Sequence, residues 1–213
     1  MLKGTPIEAG YYSLLQRHLV PTLVDLEVKP NHITFMGLFV SLAAGVSFAY
    51  FPFLGGLLTL ITGLLDTLDG SLARALGQTR KSGAFLDSVL DRYTEFIIFL
   101  GIWFYFHRQG ASTPFFSLLI LLILFGSLMV SYTRARAEGL GERCMVGLFQ
   151  RGERIVLIGV AGILNPLGNR MIGMSAGHWT QDLILTMVLL VLAVGTNWTA
   201  LWRFLHVLNN LRK

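Results

Sequence analysis

Apolar and polar positions along this chain separate into long blocks rather than alternating. Crossing the hydrocarbon core of a bilayer takes about 20 consecutive, mostly apolar residues. Five runs approach or exceed that length: His32–Tyr50, Phe53–Ala75, Ala84–His107, Pro114–Tyr132 and Leu183–Leu205. A further run, Arg154–Leu164 with its flanks, is ended early by Asn165-Pro166-Leu167-Gly168. Its helix must start before Arg154, which brings charged side chains to membrane depth. The pattern predicts an all-α integral membrane protein with six transmembrane helices. Ahead of them, Ile7–Leu26 predicts an amphipathic helix lying in the interface, with Tyr11, Tyr12, Leu14, Leu15, Leu19 and Val20 on its apolar side. A short soluble helix capping the bundle explains that stretch equally well. The domain organisation expected is a juxtamembrane helix over 1–28 and one six-span domain over 29–213. No cleavable signal-peptide pattern opens the chain.

Composition agrees with lipid as the solvent. The chain is 54% hydrophobic and 14% charged, with mean hydropathy +0.62, whereas soluble domains carry about 25% charged residues. Of its 17 Lys and Arg, all but Arg108 and Arg170 fall on one side of the six expected spans. The positive-inside rule then places both termini, and the basic loops, in the cytoplasm of a multi-pass cell-membrane protein. The basic balance is thus a topology signal, and nucleic acid is not an expected partner. One cysteine, Cys144, excludes an internal disulfide. Asn197-Trp198-Thr199 matches a glycosylation sequon but falls inside an apolar span, out of reach of a glycosylating enzyme.

Ionisable groups at membrane depth cost roughly 2.5–3.5 kcal/mol each on insertion scales, so where they gather they mark function. Here they gather between Leu65 and Glu95. Asp66 and Asp69 are spaced to share a helical face at the end of the second span, as are Asp87 and Asp91 at the start of the third. A short turn through Gly77–Gly83 folds the two helices antiparallel, so that the pairs converge. Four neighbouring carboxylates disfavour one another's ionisation, and two divalent cations would balance them. With no His or Cys in the group, the all-oxygen donor set suits Mg2+ or Mn2+, and a metal pair is the usual clamp in phosphoryl chemistry. Gly70 and Gly83 remove side chains where a nucleotide would approach the backbone, Ala73 keeps the same helix face shallow, and Arg74 offers a guanidinium fork to a phosphate. Taken singly, either glycine is as well explained by close helix packing, and one aspartate by a packing hydrogen bond. Four aspartates at these spacings are not.

The string D-x2-D-G-x2-A-R-x8-G-x3-D-x3-D, running from Asp66 to Asp91, resembles the signature of the CDP-alcohol phosphotransferase family at every fixed position. Pro30-Asn31-His32-Ile33-Thr34 is similar to the family's opening motif, so the resemblance spans nearly the whole chain, with only the central string highly specific. It implies that Asp66, Asp69 and Asp87 hold both metals, with Asp91 on one of them. Asp91 would also be the general base toward the acceptor hydroxyl. Asn31, Thr34, Asp69, Gly70, Arg74 and Gly83 would bind the CDP moiety of a CDP-linked lipid such as CDP-diacylglycerol or CDP-archaeol. Attack on the lipid-side phosphorus would release CMP. The resemblance also implies a homodimer.

A second cluster bears on the acceptor. Arg134 and Arg136 end the fourth span, Arg151 and Arg154 open the fifth, and Arg203 lies at the same end of the sixth. Positive-inside topology explains part of this, but not arginines beside a helix that must enter the membrane. Forked donors there point to an acceptor already carrying phosphate, bound by Arg134, Arg151, Arg154 and Arg203. Ala135-Arg136-Ala137-Glu138 and Arg151-Gly152-Glu153-Arg154 look like segments of phosphatidylinositol-phosphate synthases, which implies inositol 1-phosphate. Those enzymes often show proline where Gly152 stands. Glycerol 3-phosphate would need a similar clamp and is the alternative. A membrane prenyltransferase would separate its Asp motifs widely, and a proton or cation transporter would place carboxylates at the midplane of repeated, broken helices. Neither pattern is present.

Overall fold

The structure, a computed structural model, describes residues 6–110, 113–172 and 182–212. Lys3 and Lys213, both counted in the charge asymmetry, lie outside them. Within them the chain is helical: α1 (Pro6–Leu14), α2 (Val20–Asp25), α3 (Pro30–Tyr50), α4 (Pro52–Ala75), α5 (Lys81–Arg108), α6 (Thr113–Glu138), α7 (Arg151–Ile172) and α8 (Leu183–Leu211).

The expectation of six spans is corrected. Among the described residues, four helices are long and apolar enough to cross a membrane: α3, α4, α8 and, from Pro114, α6. This is a multi-pass membrane protein, but α5 and α7 do not qualify despite their length. The reason is chemical. Residues 81–95 of α5 carry Lys81, Asp87, Asp91, Arg92 and Glu95, while α7 opens on Arg151, Glu153 and Arg154 and closes through Asn165, Pro166, Asn169 and Arg170. These charged and polar residues remove the two helices from the apolar class.

Several boundaries also move. α7 runs through Pro166 instead of stopping at Asn165. A proline in a helix interior removes a hydrogen bond, and here the neighbouring side chain ties the segment to α8 instead. Asn165 is fully buried; it donates to Asp182 Oδ1 at 2.6 Å and accepts from Leu185 N–H at 3.2 Å. The N-terminal helix, expected as one piece, is interrupted by a π-helical turn at Leu15–Leu19. Leu15 and Val20 are buried against Leu65, Leu68 and Leu72 of α4, while Tyr11, Leu14 and Leu19 remain exposed. Glu27, at φ 55, then turns the chain into α3.

The long helices pack in a definite order. α3 lies on α4 and α5, α4 on α7, and α8 on α6 and α7. In lipid there is no hydrophobic drive between helices, so close backbone approach at small residues takes its place. A Cβ added to Gly101 of α5 would run into the backbone of Gly45 on α3, and one on Gly56 of α4 would meet the backbone of Gly159 and Ile163 on α7. Gly101→Ala is therefore expected to cost about 1–3 kcal/mol by overpacking, read as a lowered Tm in detergent. A Tm equal to that of the unaltered protein would contradict this account of the α3–α5 contact.

Candidate active site: two clefts joined by an acidic cluster

α4 and α5 run from the turn at Leu76–Arg80, and their facing sides carry the acids. Asp66, Asp87 and Asp91 converge so that one oxygen from each lies within 4.8 Å of the others. All three are half-buried. The fourth acid, Asp69, is not part of that triangle. It is 5% exposed and its Oδ2 accepts the Thr34 hydroxyl of α3 at 2.7 Å, an interaction the linear motif does not reveal. A small central pocket is lined by all four aspartates together with Thr34 and Arg151.

Arg151, from the first turn of α7, reaches into this pocket. Its Nη1 contacts Asp66 and lies 2.7 Å from Asp91 Oδ1, while Nη2 donates to the Thr94 hydroxyl at 3.2 Å. One guanidinium thus offsets part of the charge of three converging carboxylates. An all-oxygen triangle of this size, with no nitrogen or sulfur donor, fits a hard divalent cation. The acidic cluster is able to coordinate a divalent metal.

Two open clefts meet here. The first, of about 710 Å³, is lined by Asn31, Thr34, Asp69, Gly70, Arg74 and Gly83, the six residues expected to bind CDP, and also by Gln78, Thr79 and Arg80, which sequence reasoning missed. A Cβ at Gly70 would make only ordinary contact with its own helix neighbour Arg74, and one at Gly83 would meet nothing. Unlike Gly45, Gly56 and Gly101, these two glycines are not required by packing within the chain. They leave the cleft floor open. Arg74 is braced by a bond from Nη2 to Ser71 Oγ at 3.2 Å.

The second cleft, of about 1100 Å³, gathers all four arginines expected at the acceptor: Arg134, Arg151, Arg154 and Arg203. Arg92, which sequence reasoning did not include, lines it as well. Against these five cations stand Asp87, Asp91 and Glu138, so the cleft favours an anion. The arginines differ in how they are held. Arg134 is exposed and pairs with Glu138 at 2.8 Å. Arg203 is 3% exposed, donating from Nε to Val146 O at 2.8 Å and from Nη1 to Val130 O at 2.7 Å. Together with Thr199, whose hydroxyl donates to Leu148 O at 2.5 Å, it straps the loop between α6 and α7 onto α8. The sequence gives little warning of that loop, in which Phe149 adopts φ 56 and Gly147 φ 106.

The partition of the acids between the clefts carries the chemistry. Asp69 lines the first cleft and not the second, Asp91 the second and not the first, and Asp87 lines both. A group bound in one cleft therefore meets a group bound in the other at the acidic cluster.

Comparison with known proteins fits this arrangement. The sequence profile of the CDP-alcohol phosphatidyltransferase family matches residues 27–202. An archaetidylinositol phosphate synthase from Methanothermobacter thermautotrophicus is 33% identical over 200 residues, covering 93% of each chain. One from Pyrococcus horikoshii is 38% identical over 148 residues, 68% of this chain and 75% of that one. The phosphatidylinositol phosphate synthase of Mycobacterium tuberculosis, in a crystal structure with CDP-DAG bound, superposes with a TM-score of 0.73 at 26% identity, covering 89% of this chain and 91% of that one. The same enzyme in complex with manganese and citrate gives a TM-score of 0.72. With an unbroken motif, a converging acidic cluster, a family profile matched over residues 27–202 and a relative covered to 93%, this chain belongs to the CDP-alcohol phosphatidyltransferase family.

Proposed function

We propose that the protein transfers the phosphatidyl-type group of a CDP-linked lipid, CDP-diacylglycerol or CDP-archaeol, to a hydroxyl of inositol 1-phosphate, releasing CMP. The observation that carries this reading is the meeting of a glycine-floored cleft and an arginine-lined cleft at one acidic cluster. The relatives support it: those from archaea are synthases of archaetidylinositol phosphate, and the mycobacterial enzyme binds CDP-DAG.

In this reading Asn31, Thr34, Gly70, Arg74 and Gly83 seat the CDP moiety, and Arg134, Arg151, Arg154 and Arg203 hold the acceptor's phosphate. Asp66, Asp69, Asp87 and Asp91 hold two Mg2+ or Mn2+ ions, with Asp69 facing the donor. Bound, these ions supply charge stabilisation to the phosphoryl oxygens and the leaving nucleotide. Asp91 takes the proton of the acceptor hydroxyl. That oxygen forms a bond to the lipid-side phosphorus as the bond from phosphorus to the CMP oxygen breaks. The remaining work of the chain is alignment of the two reactants. Both termini and the site face the cytoplasm, a placement supported by the basic residues that crowd the two clefts while Arg108 stacks on Tyr50 far along α5. The protein works as a homodimer, as the family resemblance implies.

An acceptor panel tests this directly. With CDP-diacylglycerol and Mg2+, CMP release is expected with inositol 1-phosphate and not with serine. Faster release with glycerol 3-phosphate than with inositol 1-phosphate would overturn the acceptor assignment. Arg134→Ala, at an exposed pair whose loss should cost little stability, is expected to raise the KM for inositol 1-phosphate by roughly tenfold. The KM for the CDP-lipid should stay unchanged; a shift in it instead would move Arg134 to the donor side.

A further inference from the structure

The family motif ends at Asp91 and gives no task to Glu95. It lies on α5 one turn beyond Asp91 and two beyond Asp87, so the three acids follow one another along a helical face. Asp87 and Asp91 turn into the acidic cluster. Glu95 turns to α7, where Oε1 accepts from Arg154 Nε at 2.6 Å and Oε2 from Nη2 at 2.9 Å. The remaining nitrogen of that guanidinium, Nη1, donates to Phe149 O at 2.7 Å. Arg154 is 1% exposed and Glu95 6%, yet Arg154 forms part of the wall of the arginine-lined cleft.

A buried ion pair is a poor source of stability, because desolvation cancels most of the attraction. What a two-point fork between guanidinium and carboxylate does supply is a fixed plane. Thr94, the preceding residue, gives Arg151 a similar second contact on the side of the cluster. One turn of α5 therefore sets two arginines of α7, and the same turn carries Asp91.

We propose that Glu95 is a positioning residue for the acceptor: it holds the Arg154 guanidinium in the cleft wall so that the acceptor's phosphate is bound in register with Asp91. This rests on the reading that Arg154 binds that phosphate. Because Asp91 and Glu95 share one rigid helix, the separation between the phosphate and the carboxylate that takes the proton is set by a single helical turn.

The test is steady-state CMP release by the full-length protein in detergent, with inositol 1-phosphate and glycerol 3-phosphate assayed in parallel. Glu95→Gln keeps the size of the side chain and removes its charge. It is expected to raise the KM of the acceptor that the unaltered protein uses by about tenfold and to lower kcat as the register with Asp91 is lost, with the KM for CDP-diacylglycerol unchanged. In an Arg154→Ala background, Glu95→Gln should have no further effect, since the two residues act as one unit. Glu95→Asp, which keeps the charge but draws it back, should also raise acceptor KM, and serves if the glutamine variant does not fold. Equal losses for donor and acceptor, or full additivity with Arg154→Ala, would show that Glu95 does not act through Arg154 and overturn the proposal. An unaltered protein that uses neither acceptor overturns the functional reading itself, and this proposal with it.

Discussion

Asp91→Asn is expected to lower CMP release by roughly a thousandfold while leaving the CDP-lipid bound, since a positioned proton acceptor contributes about 10²–10⁴ in rate. Asparagine preserves the shape of the side chain and one of its oxygens but cannot accept the hydroxyl proton. Of the two carboxylates of the acidic cluster that line the arginine-rich cleft, Asp91 lines only that cleft, whereas Asp87 also lines the glycine-floored one. Asp69 lines only the glycine-floored cleft and is engaged by Thr34. The fold should survive, because Arg151 keeps its contacts with Asp66 and Thr94. Turnover and binding of CDP-diacylglycerol, measured on the same preparation, separate the outcomes. Activity equal to that of the unaltered protein would remove Asp91 from the role of base, and loss of donor binding would place it on the other cleft.

Removing divalent metal is the second large effect. Chelation is expected to abolish CMP release, and Mg2+ or Mn2+ to restore it. Metal stabilisation of developing charge is worth several kcal/mol, and each 1.4 kcal/mol is about a factor of ten in rate, so the loss should reach the thousandfold range. The donor set of the cluster is what calls for a metal. Asp66, Asp87 and Asp91 present oxygens within 4.8 Å of one another with no His or Cys among them, which selects hard cations over zinc. Arg151 makes the cluster tolerable as a set of charges, but a single guanidinium cannot balance four carboxylates. Undiminished release in excess chelator would show that the chain transfers the group by charge and proton handling from its side chains alone.

Much of this site was legible in the sequence because it is built on helical periodicity. Asp66 with Asp69, and Asp87 with Asp91, sit at spacings that fix their faces, and one short turn makes the faces meet. The six residues that the resemblance assigns to CDP line one cleft, and the four arginines line the other. What could not be read depends on contacts between distant segments. Thr34 binding Asp69 requires α3 to cross α4 at one particular depth. Glu95 and Arg154 are 59 residues apart, and the sequence leaves Glu95 several arginines to choose from. The loop holding Val146, Leu148 and Phe149 is shaped by side chains of α8, and its positive φ angles leave no pattern in hydropathy. The span count failed for a related reason. Apolar runs within α5 and α7 resemble spans, but the charged residues that open both helices, and the polar stretch from Asn165 to Arg170 that closes α7, bring them below the apolar class.

Acids from two neighbouring helices are expected to enclose divalent cations at the junction of the two clefts. Anomalous diffraction from crystals grown with Mn2+ tests it most directly. Two peaks about 3.5–4 Å apart, ringed by Asp66, Asp69, Asp87 and Asp91 with the Arg151 guanidinium displaced from Asp66, are the expected result. Manganese bound elsewhere, with Arg151 still bridging Asp66 and Asp91, would contradict it.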